Sequence, residues 1–129
     1  MKSEAGSGKS EGLDLKARTL EFGVRCVRLA EALPASRSGN TIAAQLVRCG
    51  TSVGANYRAA RRARSKAEFA AKLGIVEEEC DETIYWMEVI QALALIKPEL
   101  LVPLHQEADE ILAITVTAIK TTKSNQASK

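Results

Sequence analysis

The sequence predicts an all-α fold, an antiparallel up-down-up-down four-helix bundle. Three observations predict it. Apolar residues recur at alternating steps of four and three through four separate stretches, the spacing of a helical seam rather than the alternation of a strand. The apolar content, 46% of 129 residues, is carried by Ala, Leu, Ile and Val, with 4% aromatics and three prolines. The breaks between stretches are short, which places consecutive helices side by side and antiparallel. At this length a single domain is expected.

Residues 1–12 are, apart from Met1 and Ala5, Gly, Ser, Lys and Glu and read as a flexible tail. Gly8-Lys9-Ser10 ends like a phosphate-binding loop, but that pattern needs a glycine five residues earlier, where Ser3 stands, and a preceding strand for which there is no room. The bundle is expected over residues 13–122 and a second polar tail over 123–129. Helix one, Leu13 to Leu33, carries the seam Leu15, Thr19, Phe22, Cys26, Leu29 and Leu33. Pro34 ends it, because the residue before a proline is pushed out of the helical region.

Helix two is expected to be capped by Asn40 or Thr41. Ile42, Leu46, Cys49, Val53, Asn56 and Ala60 form its seam. Gly50 and Gly54 sit one turn apart beside it. Mid-helix glycine costs roughly 1 kcal/mol against alanine, so something packs close to this backbone, either another helix of the bundle or a second subunit. A polar group in a seam needs partners. Asn56 is thus a satisfied core amide that fixes register, or a contact to a ligand or partner.

Ser65-Lys-Ala-Glu68 has the form of a capping box and opens helix three, with the break at Ala63 or Arg64. Phe69, Leu73, Val76, Cys80, Thr83, Met87, Ile90 and Ala94 carry the seam on to Ile96, and Pro98 ends the helix. Helix four starts near Leu101, with Pro103 in its first turn. Leu101, Leu104, Ala108, Ile111, Thr115 and Ala118 line its inner face, widened by Leu112, Val116 and Ile119. Residues 120–129 are polar. Any of the wider apolar faces could cover a subunit contact as well as the core.

The search for chemistry finds no enzyme. A di-iron bundle needs Glu-x-x-His on two helices; His105 is the single histidine, and Val102 stands three before it. Glu78 and Glu82, one turn apart in the block Glu77, Glu78, Glu79, Asp81 and Glu82, could meet a hard cation, but also a solvated face or the arginines. Cys26, Cys49 and Cys80 all lie on seams, as small core residues of a reducing cytoplasm do. No catalytic residue, metal ligand or cofactor is assigned. No apolar run reaches the roughly 20 residues of a membrane span, and no signal-peptide pattern opens the chain, so a cytoplasmic protein is expected.

The strongest functional pattern is basic. Arg58, Arg61, Arg62, Arg64 and Lys66 fall within nine residues and without an intervening acid, although the net charge is only +2. A helix C-terminus favours one or two cations through its dipole; five exceed that need. Arg18, Arg25 and Arg28 share a face of helix one. Two readings follow: guanidiniums presented to phosphates, or salt bridges to the acidic block of helix three, in the same chain or a neighbour.

Gln45-Leu-x-Arg48-x-x-Thr51-Ser52-Val53-x-Ala55-Asn56, Arg61-Arg62 and Ser65-x-x-Glu68-Phe69-x-x-x-Leu73 together resemble the bacterial four-helix bundle proteins encoded with the intervening sequences of 23S ribosomal RNA genes, often labelled S23 ribosomal protein. The resemblance covers about residues 16–120. That family also includes the accessory variability determinant of diversity-generating retroelements. The resemblance implies a ring-shaped homopentamer with a central channel. The retroelement branch implies RNA or DNA binding and a reverse transcriptase or other nucleoprotein partner. Arg48, Asn56, Arg62 and Glu68 match motif positions and, with Gly50 and Gly54, are read as structural or interface residues. Two features depart from the family. Asn56 is followed by Tyr57-Arg58-Ala59-Ala60 where an acid and a glycine are common, and the charge is near neutral.

Overall fold

Four helices form as the seams require: α1 (Glu11–Ala32), α2 (Arg37–Arg61), α3 (Lys66–Ala92) and α4 (Pro98–Ala127). The computed structural model describes residues 11–127, and no strand occurs among them. The expected tails over 1–10 and 128–129 lie outside the described residues. Gly12, placed in the first tail, is helical. So are residues 123–127, because α4 continues the helix through the polar stretch.

Neighbouring helices run antiparallel. Positions 19, 23 and 26 of α1 meet 54, 51 and 50 of α2 in descending order. Glu88 and Cys80 of α3 meet His105 and Ala108 of α4. The contacts close a ring, α1 to α2 to α3 to α4 and back to α1, with α1 and α4 touching least. Arg18 fastens that weakest seam. Its Nε and Nη2 donate to the two carboxylate oxygens of Glu107 at 3.0 and 2.8 Å, and Nη2 also reaches Glu110 at 3.0 Å.

Most seam residues lie in the core, joined by Ala30, Tyr57, Ala70 and Ile84, while Phe69 and Ala118 are half-buried and Ala94 is exposed. Phe22, Cys26, Leu46, Cys49, Val53, Val76, Cys80, Met87, Ile90 and Ile111 are fully buried. Thr19, Thr83 and Thr115 are buried with them, and each hydroxyl donates to a carbonyl of its own helix, at 3.2, 2.7 and 2.8 Å. A buried hydroxyl bonded in this way leaves no polar atom unsatisfied.

Four expectations at helix ends and seams are corrected. First, Ser36, not Asn40 or Thr41, caps α2. Its extended backbone turns its Oγ to accept from Gly39 N–H at 3.0 Å, and its carbonyl accepts from Asn40 N–H. Gly39 permits this turn, since a Cβ there would lie 2.1 Å from the Pro34 carbonyl oxygen. Second, Tyr57 occupies the seam position assigned to Asn56. Tyr57 is 4% exposed, whereas Asn56 is half-buried and donates to the Ser52 carbonyl at 2.8 Å.

Third, α3 ends at Ala92, not near Ile96. Ala94 N–H donates to Gln91 and Leu95 N–H to Ile90, with Ala94 at φ 52°. This is the Schellman arrangement, which satisfies the last carbonyls by turning one residue left-handed. Fourth, Pro98 begins α4 instead of only terminating α3. It occupies the first helical position, where its missing N–H is of no consequence. Pro103 consequently lies beyond the first turn, inside the helix.

Candidate nucleic-acid interface

The basic run straddles one end of the bundle. Ser65 and Glu68 set its geometry. Ser65 Oγ accepts from Glu68 N–H at 3.0 Å, as a capping box requires, but the Glu68 carboxylate accepts from Arg64 N–H at 3.0 Å, one residue earlier than the pattern expects. Both side chains therefore hold the 62–65 turn. Arg62, the C-cap of α2, donates its own N–H to Ala59.

The run borders two depressions. Arg58 faces α1 and, with Lys16, rims a groove of about 270 Å³ lined by Leu20, Val24, Gly54 and Ala55. Leu20 is 58% exposed there. Arg61, Arg64 and Lys66 instead surround a second depression of about 410 Å³, together with Phe69 of α3 and Thr122 and Asn125 of α4. Arg61 lies 6.0 Å over the Tyr57 ring and donates to its hydroxyl at 3.5 Å. Arg58, Arg61, Arg62, Arg64 and Lys66 are all exposed.

Two acids of the α3 block, Glu79 and Glu82, pair elsewhere. Arg48 meets Glu79 at 3.4 Å and is in close contact with Glu82, which also accepts from the Trp86 indole at 3.3 Å. Gln45 Oε1 accepts twice from the same guanidinium, at 3.1 and 3.0 Å. Arg48 thus joins α2 to α3 inside one chain. Glu82, half of the cation pair considered with Glu78, is committed to this network, and among the described residues no group of three or more His, Cys, Asp or Glu is arranged to hold a metal. Among the described residues no carboxylate lies in ion-pair range of Arg58, Arg61, Arg62 or Arg64.

The polar motif around Arg48 has a local role. Thr51 and Ser52 hydroxyls donate to the carbonyls of Val47 and Arg48, both at 2.7 Å, and Asn56 continues this ladder to Ser52. Gly50 and Gly54 face α1 in the same chain. An added Cβ would lie 2.6 Å from Cys26 at Gly50 and 3.1 Å from the Thr19 carbonyl oxygen at Gly54. Of the two occupants considered, a neighbouring helix of the bundle accounts for both. Gly54 also borders the α1–α2 groove.

The three thiols stay apart from this chemistry. Cys26, Cys49 and Cys80 are free and buried, and burial raises each above the ordinary thiol range, Cys80 to about 12. His105 sits between Asp109, at 3.2 Å, and Glu88, at 3.9 Å. No helix among the described residues is long and apolar enough to cross a membrane.

Three contributors, Thr122, Asn125 and Tyr57, are absent from the site residues read from the sequence. Thr122 and Asn125 were assigned to the end of the helix and the tail, where nothing in a polar stretch distinguishes a wall residue. Tyr57 could have been found, because Val53, Tyr57 and Ala60 continue the four-three step as well as Val53, Asn56 and Ala60 do.

Comparison with known proteins supports the motif. No curated protein matches the chain. A solved structure from Bacteroides thetaiotaomicron, a protein of unknown function from the S23 ribosomal protein family, matches with a TM-score of 0.78 and 35% identity over 84% of this chain and 97% of that one. The model of the 23S rRNA-intervening sequence protein family matches residues 11–117. With four helices in order, the Gln45–Asn56 ladder in place and the match running through most of the bundle, the chain belongs to the 23S rRNA-intervening sequence protein family.

Proposed function

We propose that this protein is a non-enzymatic bundle that assembles as a homo-oligomer, a pentamer on the family resemblance, and binds nucleic acid or a nucleoprotein partner through Arg58 to Lys66. One observation carries this reading. Glu79 and Glu82, two of the helix-three acids that could have neutralised the run, are engaged by Arg48, while the guanidiniums of Arg58, Arg62 and Arg64 stand exposed with no carboxylate in ion-pair range among the described residues. Unpaired guanidiniums at the surface suit phosphate oxygens in charge and in hydrogen-bond geometry. Phosphate contact supplies affinity without base reading. RNA or DNA, alone or held by a reverse transcriptase or other nucleoprotein, would present such oxygens in a cytoplasmic setting.

A second reading is a protein-interaction scaffold in which the arginines form subunit contacts. The groove that Arg58 rims favours it, since Leu20 and Val24 leave apolar surface open beside small residues.

One titration separates them. The protein is titrated with labelled RNA and duplex DNA at about 50 and about 200 mM salt. Neutralising about five phosphates per bound subunit predicts a fall in duplex affinity of more than about a hundredfold between those salts. The triple change Arg58→Ala, Arg61→Ala and Arg62→Ala should weaken binding and leave helicity and assembly mass unchanged. Loss of the oligomer in light scattering, with no binding by the parent protein, supports the scaffold instead. A monomeric parent sinks the pentamer.

A further inference from the structure

The depression at the 62–65 turn differs from a plain phosphate-binding surface. It has three cations, Arg61, Arg64 and Lys66, but also Phe69, half-buried against the core, and two neutral polar side chains, Asn125 and Thr122, whose hydroxyl donates to the Ala118 carbonyl at 2.8 Å and keeps its acceptor side open. Ala60 and Ala63 complete an apolar floor. Its volume, about 410 Å³, falls within the about 300–1,000 Å³ range of small-ligand sites. A duplex offers a surface of this kind only its phosphates, because its bases are stacked and paired. A single strand offers an unstacked base as well, and base–aromatic stacking joined to backbone cations is how sequence-tolerant single-strand sites are built.

We propose that this depression receives one base of a single-stranded nucleic acid, with Phe69 as the stacking surface, Asn125 and Thr122 at the base edge, and Arg61 and Arg64 on the flanking phosphates. The proposal rests on the nucleic-acid reading above and specifies its ligand. It also draws on Thr122 and Asn125, which lie outside the family match over residues 11–117. Arg58, on the other side of α2, faces the α1–α2 groove and is no part of the cup. The open depression thus has room for one nucleotide and lies apart from the cation of the α1–α2 groove.

The test compares a fluorescein-labelled ten-nucleotide deoxyadenylate with a ten-base-pair duplex, by anisotropy, at low salt. The single strand should bind the parent protein at least tenfold more tightly. Phe69→Leu keeps an apolar side chain against the core while removing the ring face. It should reduce single-strand affinity by about tenfold, the scale of one lost base–aromatic stack, and leave duplex affinity within twofold. Asn125→Ala, on the exposed wall, should reduce single-strand affinity alone; as a surface change it serves if Phe69→Leu unfolds the protein, which circular dichroism would reveal. Equal binding of strand and duplex, or equal losses for both in Asn125→Ala, would overturn the single-strand site while leaving nucleic-acid binding intact. Absence of binding to either probe would overturn both.

Discussion

Cys26 fills the space that a side chain at position 50 would need. An added Cβ on Gly50 would sit 2.6 Å from both Cβ and Sγ of Cys26. Because one of those atoms is a Cβ, no rotamer of Cys26 relieves the clash; the helices themselves would have to separate. Gly74, by contrast, has nothing within 4 Å of such a Cβ.

The two glycines should therefore respond oppositely to alanine. At Gly74 the change removes a mid-helix glycine and should stabilise by up to about 1 kcal/mol. At Gly50 the same gain is outweighed by overpacking, for a net loss of about 1–2 kcal/mol. Urea unfolding midpoints measure both, and a stabilised Gly50→Ala protein would contradict the packing.

Ala94 offers a third site. It holds φ at 52° with a side chain, at an exposed position that glycine usually fills. Left-handed backbone costs an L-residue roughly 1–2 kcal/mol. Ala94→Gly should stabilise by about 0.5–1 kcal/mol after the entropy of the more flexible unfolded chain is subtracted. An unchanged or lowered midpoint would count against this turn.

The thiols give a pH dependence. Burial raises the folded-state pKa of each above the usual thiol value of about 9, Cys80 to about 12. Below about pH 9 both states keep these protons, and the contribution to stability is fully present. As pH rises further the unfolded chain releases protons that the folded chain retains, so stability falls. Urea midpoints should drop between about pH 9 and 12, and less so when all three cysteines are replaced by alanine, each compared with its own value at pH 8. Thiol reagents at pH 8 should label the native protein slowly and the unfolded protein at once. Rapid native labelling would overturn the burial.

The seams of the four helices were legible because burial repeats. Leu15 to Leu33 and Phe69 to Ile90 keep one face toward the core for about five and about six turns, and the sequence records that period directly. Helix ends were less legible because they depend on single local bonds. Ser36 precedes Asn40 and Thr41, and all three are residue types that cap; only the fold of Pro34 over Gly39 selects Ser36. The end of α3 was hidden because Ala94 fits the helical step while adopting the conformation of a glycine. At the candidate site, the cluster of arginines was visible, but its division between two depressions was not. That division comes from the rotation of α2, which turns Arg58 to α1 and Arg61 towards the end of α4. Asn56 was misplaced for a related reason: one residue of helical phase separates the core from a backbone-bonded amide.

The antiparallel order of the helices also governs how the protein is best handled. The start of α1, the end of α2, the start of α3 and the end of α4 all lie at one end of the bundle, beside the arginines. A fluorophore attached in the first turn of α1 or the last turn of α4 would lie beside the depression at the 62–65 turn and lend it charge. The 94–97 connection lies at the opposite end, one helix length away, about 33 Å for the 22 residues of α1. A reporter attached at Lys97 would sit clear of Arg58 to Lys66 and leave the depression open.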